Sequence, residues 1–97
     1  MKSVEVSQRA ERDLEEIHDY IAHDKPGAAT KLVKTIEKKF ETLARFPELG
    51  SRCDYIGTGL RLTSCGTYVI IYSVTPAGVE IARVVQGNRD LPWALGD

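Results

Sequence analysis

Apolar and polar positions along the first half of the chain follow two different periods. Val4 and Val6 flank Glu5, the period-two alternation of a short strand over residues 2–6. Ser7 then stands where a helix N-cap is wanted. Ala10, Leu14, Ile17 and Ile21 recur at steps of four, three and four. That spacing is one stripe of an amphipathic helix running from about Gln8 to about His23. The carboxylates between them, Glu11, Asp13, Glu15, Glu16 and Asp19, read as a solvated face. Asp24-Lys25-Pro26-Gly27 breaks the pattern, and Pro26 suits the first turn of a new helix, where its missing N–H costs nothing. Ala29, Leu32, Ile36, Phe40 and Leu43 form a second stripe, widened by Val33. This helix is expected to end near Arg45, before Pro47. Two such helices joined by a short turn predict an antiparallel helical hairpin.

The second half has strand character. Phe46 to Gly59 holds Pro47, Gly50, Gly57 and Gly59 and reads as a loop. Leu60–Ser64 is a short strand, and Cys65-Gly66 a turn. Thr67–Thr75 is the strongest strand, because Tyr68-Val69-Ile70-Ile71-Tyr72 is unbroken apolar sequence rich in β-branched and aromatic residues. Such a run implies burial on both faces, as in a central strand. Pro76-Ala77-Gly78 is a tight turn, Val79–Gln86 a further strand, and Gly87–Asp97 an irregular tail. The predicted order is β-α-α-β-β-β. The fold class is α+β, a helical hairpin packed on a mainly antiparallel sheet, in one domain over residues 1–97.

Composition narrows the function classes. The 97 residues carry 13 basic and 14 acidic side chains, with 42% apolar and 28% charged content. A protein held to nucleic acid mainly by phosphate contacts needs a basic excess, which this chain lacks. The balance is nonetheless uneven: residues 1–24 carry a net charge of −4, residues 25–45 a net +4, and residues 46–97 a net −1. The two helices are therefore of opposite sign. Exposed ion pairs contribute only about 0–1 kcal/mol each, so the apolar stripes are expected to decide the packing. No run approaches a membrane span, and the N-terminus does not read as a signal peptide, so a cytoplasmic protein without membrane contact is expected. Cys53 and Cys65 then stay reduced. Neither has His18 or His23 at metal-ligand spacing, so no metal site is expected.

Candidate chemistry is sparse. Gly57-Thr58-Gly59 precedes a strand and lacks a third glycine, so it is not a dinucleotide loop. Arg61 lies between Leu60 and Leu62. Arg83 shares strand parity with Val79, Ile81 and Val85, which places a guanidinium on an otherwise apolar face. Such a group needs a partner or an opening to solvent. It is either a structural arginine or a contact for a phosphate or an acidic partner. Arg89 and Trp93, in the tail, are of types common at binding surfaces; Trp93 could equally pin the tail to the core.

Several short patterns occur in a fixed order: Ala10-x-x-Asp13-Leu14-x-x-Ile17-x-x-Tyr20-Ile21, Ala28-Ala29, Leu43 with Pro47-x-x-Gly50, Arg61, Tyr68–Tyr72, Val79-x-Ile81-x-Arg83-Val84, and Gly87-x-Arg89-Asp90. Together they resemble the RelE/ParE superfamily of type II toxins, and ParE-like members most closely. The resemblance implies a toxin that inhibits DNA gyrase by binding, with no cofactor. It also implies a ParD-like antitoxin partner in a hetero-oligomer, with operator DNA reached only through the antitoxin. Arg61, Arg83, Arg89 and Trp93 would be the binding residues. The alternatives are a ribosome-dependent mRNA endonuclease, in which Arg61 and Arg83 would be catalytic, and a non-toxic binding member. The resemblance to nucleases is incomplete: the segment from Asp54 to Gly59 has no lysine, and no Tyr or His follows Arg83. Gln86 stands where many ParE-like chains have His.

Overall fold

The computed structural model describes residues 2–87. Strand β1 (Ser3–Val6) leads into helices α1 (Gln8–Ala22) and α2 (Pro26–Arg45). A single 3-10 turn (Pro47–Leu49) follows, then β2 (Ser51–Arg52), β3 (Leu60–Cys65), β4 (Tyr68–Thr75) and β5 (Gly78–Gln86). The sheet runs β1-β5-β4-β3-β2, with β1 parallel to β5 and every other pair antiparallel. The α+β class and the mainly antiparallel sheet are as expected, and β4 is the central strand.

Local chemistry sets the helix ends. The Ser7 hydroxyl accepts from the Ala10 N–H at 3.0 Å and donates to the Ala82 carbonyl at 2.9 Å. One cap thus starts α1 and ties it to β5. Pro26 occupies the first turn of α2. At its far end the Phe46 N–H closes on the Thr42 carbonyl at 2.8 Å.

The main core lies between the helices and one sheet face. Ala10, Leu14, Ile36, Phe40, Leu43 and Ala44 meet Tyr68, Ile70, Tyr72, Val79, Ile81 and Val84. Val69, Ile71 and Val85 form a smaller cluster on the other face, with Leu60, Leu62 and Ala82 against it. The opposite charges of the helices are not used as ion pairs: among the described residues no salt bridge joins α1 to α2. The shared apolar core carries that packing.

Three expectations need correction. The segment read as loop, 46–59, contains the 3-10 turn and β2, which pairs Ser51 with Leu62 and Arg52 with Arg61. A two-residue edge strand is too short to show a period. Cys65 belongs to β3, and Gly78 belongs to β5 rather than to the preceding turn. Gly78 is required there because a Cβ would run into the Ser3 backbone of the neighbouring parallel strand. Finally, β5 carries a bulge. Tyr72 pairs with Ile81 but Ile71 pairs with Arg83, leaving Ala82 as the extra residue. Parity therefore changes along the strand: Val79, Ile81 and Val84 face the helices, while Val85 joins the opposite cluster.

Two glycine substitutions separate these effects. Gly78→Ala forces β1 away from β5 and should lower the melting temperature sharply. Gly27→Ala, where a Cβ meets nothing within 4 Å, should be neutral or stabilise by up to about 1 kcal/mol. Thermal unfolding of the two variants checks this; equal melting temperatures would contradict the close approach at Gly78.

Candidate functional site

Asp13 is the largest departure from the sequence reading. It was expected on the solvated face of α1, yet it is only 4% exposed. Its position explains why: it lies three residues after Ala10 and four before Ile17, so it borders the apolar stripe on the side facing β5. Arg83 meets it there at 5% exposure. Arg83 Nε donates to Asp13 Oδ2 at 2.8 Å and Nη2 donates to Oδ1 at 3.1 Å. The Val84 N–H also donates to Oδ2, at 2.9 Å. Arg9, one helical turn earlier, brings its Nε within 3.8 Å of Oδ1. A planar, two-point pair with an added backbone donor is the arrangement that offsets the desolvation of two buried charges.

Arg83 is therefore a structural arginine with one group left over. Its Nη1 is buried and has no hydrogen-bond partner among the described residues. Arg83 lines a cleft of about 430 Å³ between α1 and β5, together with Arg9, Glu16, Tyr20, Tyr68 and Gln86.

Arg61 belongs to a second arrangement. It lies opposite Tyr72 on β4, and its Nη1 donates to the Gly50 carbonyl at 2.7 Å. The Tyr72 hydroxyl donates to the Pro47 carbonyl at 2.6 Å and accepts from the Gly50 N–H at 2.9 Å. Two side chains thereby pin the turn at residues 47–50 onto the sheet. Gly50 is the residue that permits this, since a Cβ would strike the Tyr72 ring and hydroxyl and the Leu62 carbonyl. Burial pushes the Tyr72 phenol above its ordinary pKa, against the opposing effects of the Gly50 hydrogen bond and the Arg61 charge.

The loop from Asp54 to Gly59 is closed by Asp54. Its carboxylate accepts from the Gly59 N–H at 2.9 Å and pairs with Arg52 at 3.0 Å. The Gly59 bond holds the carboxyl below its usual range against desolvation, and the Arg52 hydrogen bond and charge act in the same lowering direction. Cys53 is buried, and desolvation followed by the neighbouring Asp54 charge raises its thiol pKa. A raised pKa opposes thiolate formation and so opposes a nucleophilic role. Among the described residues no cluster of three or more His, Cys, Asp and Glu side chains could hold a metal ion.

The predicted binding residues are thus not gathered at one place. Arg83 is bound to Asp13 on α1, whereas Arg61 is bound to the 47–50 turn. Arg89 and Trp93 lie outside the described residues. Sequence reasoning missed Asp13, although its spacing from Ala10 and Ile17 carried the signal. It also missed Tyr72 as a polar anchor, because its place in an apolar run gives no hint of its hydroxyl's partners.

The buried pair predicts a strongly coupled mutant cycle. Asp13→Ala leaves Arg83 uncompensated and should cost about 3–5 kcal/mol. The double variant Asp13→Leu with Arg83→Met should be more stable than Asp13→Ala, as denaturant unfolding would show. Tyr72 predicts a pH effect. Because its folded pKa is raised, its contribution is complete below the unfolded value near 10 and is lost as pH rises through the folded value. Tyr72→Phe should therefore lose less stability than the natural chain between about pH 9 and 11, measured by unfolding at each pH.

The family model for the ParE toxin of type II toxin–antitoxin systems, parDE, matches residues 4–91. Toxin RelE3 of Caulobacter vibrioides is 34% identical, covering 87% of this chain and 92% of that protein. Toxin ParE1 of the same organism is 29% identical over 99% of this chain and all of its own length. Among solved structures, a chain of the chromosomal ParDE system from P. aeruginosa superposes with a TM-score of 0.76 at 21% identity, covering 89% of this chain and 96% of its own. A chain of the YoeB–YefM complex from Staphylococcus aureus does so at 0.55 and 16%, covering 88% and 95%. These two show a shared fold. With the family model spanning everything from β1 through β5, the chain belongs to the ParE toxin family of type II toxin–antitoxin systems.

Proposed function

We propose that this toxin arrests growth by binding DNA gyrase, without a catalytic site of its own, and that a ParD-like antitoxin neutralises it in a hetero-oligomer. Residues 1–97 act as one toxin domain in the cytoplasm, and operator DNA is reached only through the antitoxin. The observation that carries this reading is the commitment of both strand arginines to the fold. Arg83 is buried in a two-point pair with Asp13, and Arg61 donates to the Gly50 carbonyl. An mRNA endonuclease of this fold would need those guanidiniums on a phosphate and acid–base groups beside them. The segment 54–59 has no lysine, and no Tyr or His follows Arg83.

In this reading Arg83 sets the conformation of β5. Arg61 remains partly exposed beside the 47–50 turn and can contribute to a contact. Arg89 and Trp93 belong to the surface that meets gyrase. Among the described residues no helix is long and apolar enough to cross a membrane. Tyr20, Phe46, Leu49, Tyr55 and Val74 are large apolar side chains left exposed. The antitoxin covers part of this apolar surface, so the free toxin should be less soluble than the complex.

Gyrase supercoiling of a relaxed plasmid tests the proposal. The purified toxin should abolish supercoiling and accumulate cleaved DNA, and added antitoxin should reverse both. Unaffected gyrase together with ribosome-dependent mRNA cleavage would replace this reading with the nuclease.

A further inference from the structure

Both faces of the central strand are apolar, but the helices cover only one of them. Tyr68, Ile70 and Tyr72 of β4 meet the helices, whereas Val69 and Ile71 join Val85 of β5 on the opposite face. Leu60 and Leu62 of β3 and Ala82 of β5 extend this second patch across three neighbouring strands. The register places Leu62 beside Ile71 and Val85 beside Val69. Among the described residues, every apolar side chain packed against the patch comes from the sheet itself. Yet Ile71 is 0% exposed, and Val69 and Val85 are each 9% exposed. Neighbours standing on the same sheet shield a side chain from the flanks and leave its end open. Complete burial of Ile71 therefore calls for a further layer over this face.

The end of β5 points to the source of that layer. The Gly87 N–H donates to the Thr67 carbonyl at 2.9 Å. A Cβ at Gly87 would stand 3.3 Å from Val69 Cγ2, so the chain leaves the strand hard against a member of the patch. The segment that follows, residues 88–97, has the strand period. Leu91, Trp93 and Leu95 are large and apolar, and the compact residues Pro92, Ala94 and Gly96 alternate with them. An extended backbone puts the three large side chains on one side. Three neighbouring strands measure about 10 Å from first to last. Ten extended residues reach about 33 Å, enough to reverse direction and cross the patch.

We propose that residues 88–97 fold back over this sheet face as its covering layer, with Leu91, Trp93 and Leu95 laid on Val69, Ile71 and Leu62. The chain's own segment fits better than a separate partner because it begins at the patch, so closing it costs little entropy. A nucleic acid or a charged peptide finds no counterpart on six apolar side chains. The sheet then becomes the middle of three layers, and the unbroken apolar sequence of β4 has a dry environment on both sides. Trp93 gains a packing role. On the gyrase reading above, Arg89 and the outward edge of Trp93 are then held in place before gyrase is met.

Trp93 is the only tryptophan in the chain, so its fluorescence reports on this segment alone. In the full toxin at low concentration, its emission should lie well to the blue of that of the denatured chain, and iodide should quench it several-fold less. Nuclear Overhauser contacts should join the Trp93 indole to the methyl groups of Ile71 and Leu62. A Trp93 as open to iodide as in the denatured chain overturns the proposal. A shielded Trp93 without contacts to Ile71 or Leu62 also overturns it, since the ring is then packed elsewhere. Shielding that is lost on dilution assigns the cover to a second copy of the chain and overturns it as well. None of these measurements involves gyrase or an antitoxin, so the proposed function stands or falls separately.

Discussion

The ion pair between Asp13 and Arg83 is the joint on which the arrangement depends. It links the first helix to the last strand across 70 residues of sequence. It is held by three hydrogen bonds in a dry environment, where either charge alone would be costly. The bulge at Ala82 contributes to the joint, because it shifts the outward-facing backbone to Val84, whose N–H donates to the same carboxylate. The Ser7 cap, which bonds Ala82 itself, fixes the start of α1 beside this point. Helix position, strand register and arginine orientation are thus one local solution.

Much of the fold was legible because it rests on burial with a clear period. The stripes of Ala10, Leu14 and Ile17 and of Ala29, Ile36, Phe40 and Leu43 located both helices to within a residue or two. The apolar run of β4 marked the centre of the sheet. What was not legible depends on events that leave no period. A bulge is a single inserted residue, and Val85 was placed on the wrong face because alternation was continued through Ala82. Strand β2 is two residues long. The candidate site suffered from the same limit. Asp13 was grouped with its acidic neighbours by residue type, although its spacing put it beside the stripe, and only its partner 70 residues away makes a buried carboxylate tolerable.

The two arginines illustrate how a scaffold can commit a guanidinium to its own fold. In this chain each guanidinium is engaged by protein oxygen atoms, Arg83 by a carboxylate and Arg61 by a backbone carbonyl. The same residue types on the same strands, without those acceptors, would be open to a phosphate. The acceptors around each guanidinium, rather than its place on a strand, decide whether it is spent on the fold.

The parallel pairing of β1 with β5 has a consequence for synthesis in the cell. Strand β1 finds its partner only when β5 has been made, because residues 3–6 pair with residues 78–81. Until then the helical hairpin can assemble locally, but Asp13 has no arginine and β1 no neighbour. Contacts this distant in sequence form late. A toxin still lacking β5 therefore has no completed sheet, and the native surface arises only after residues 78–81 have emerged.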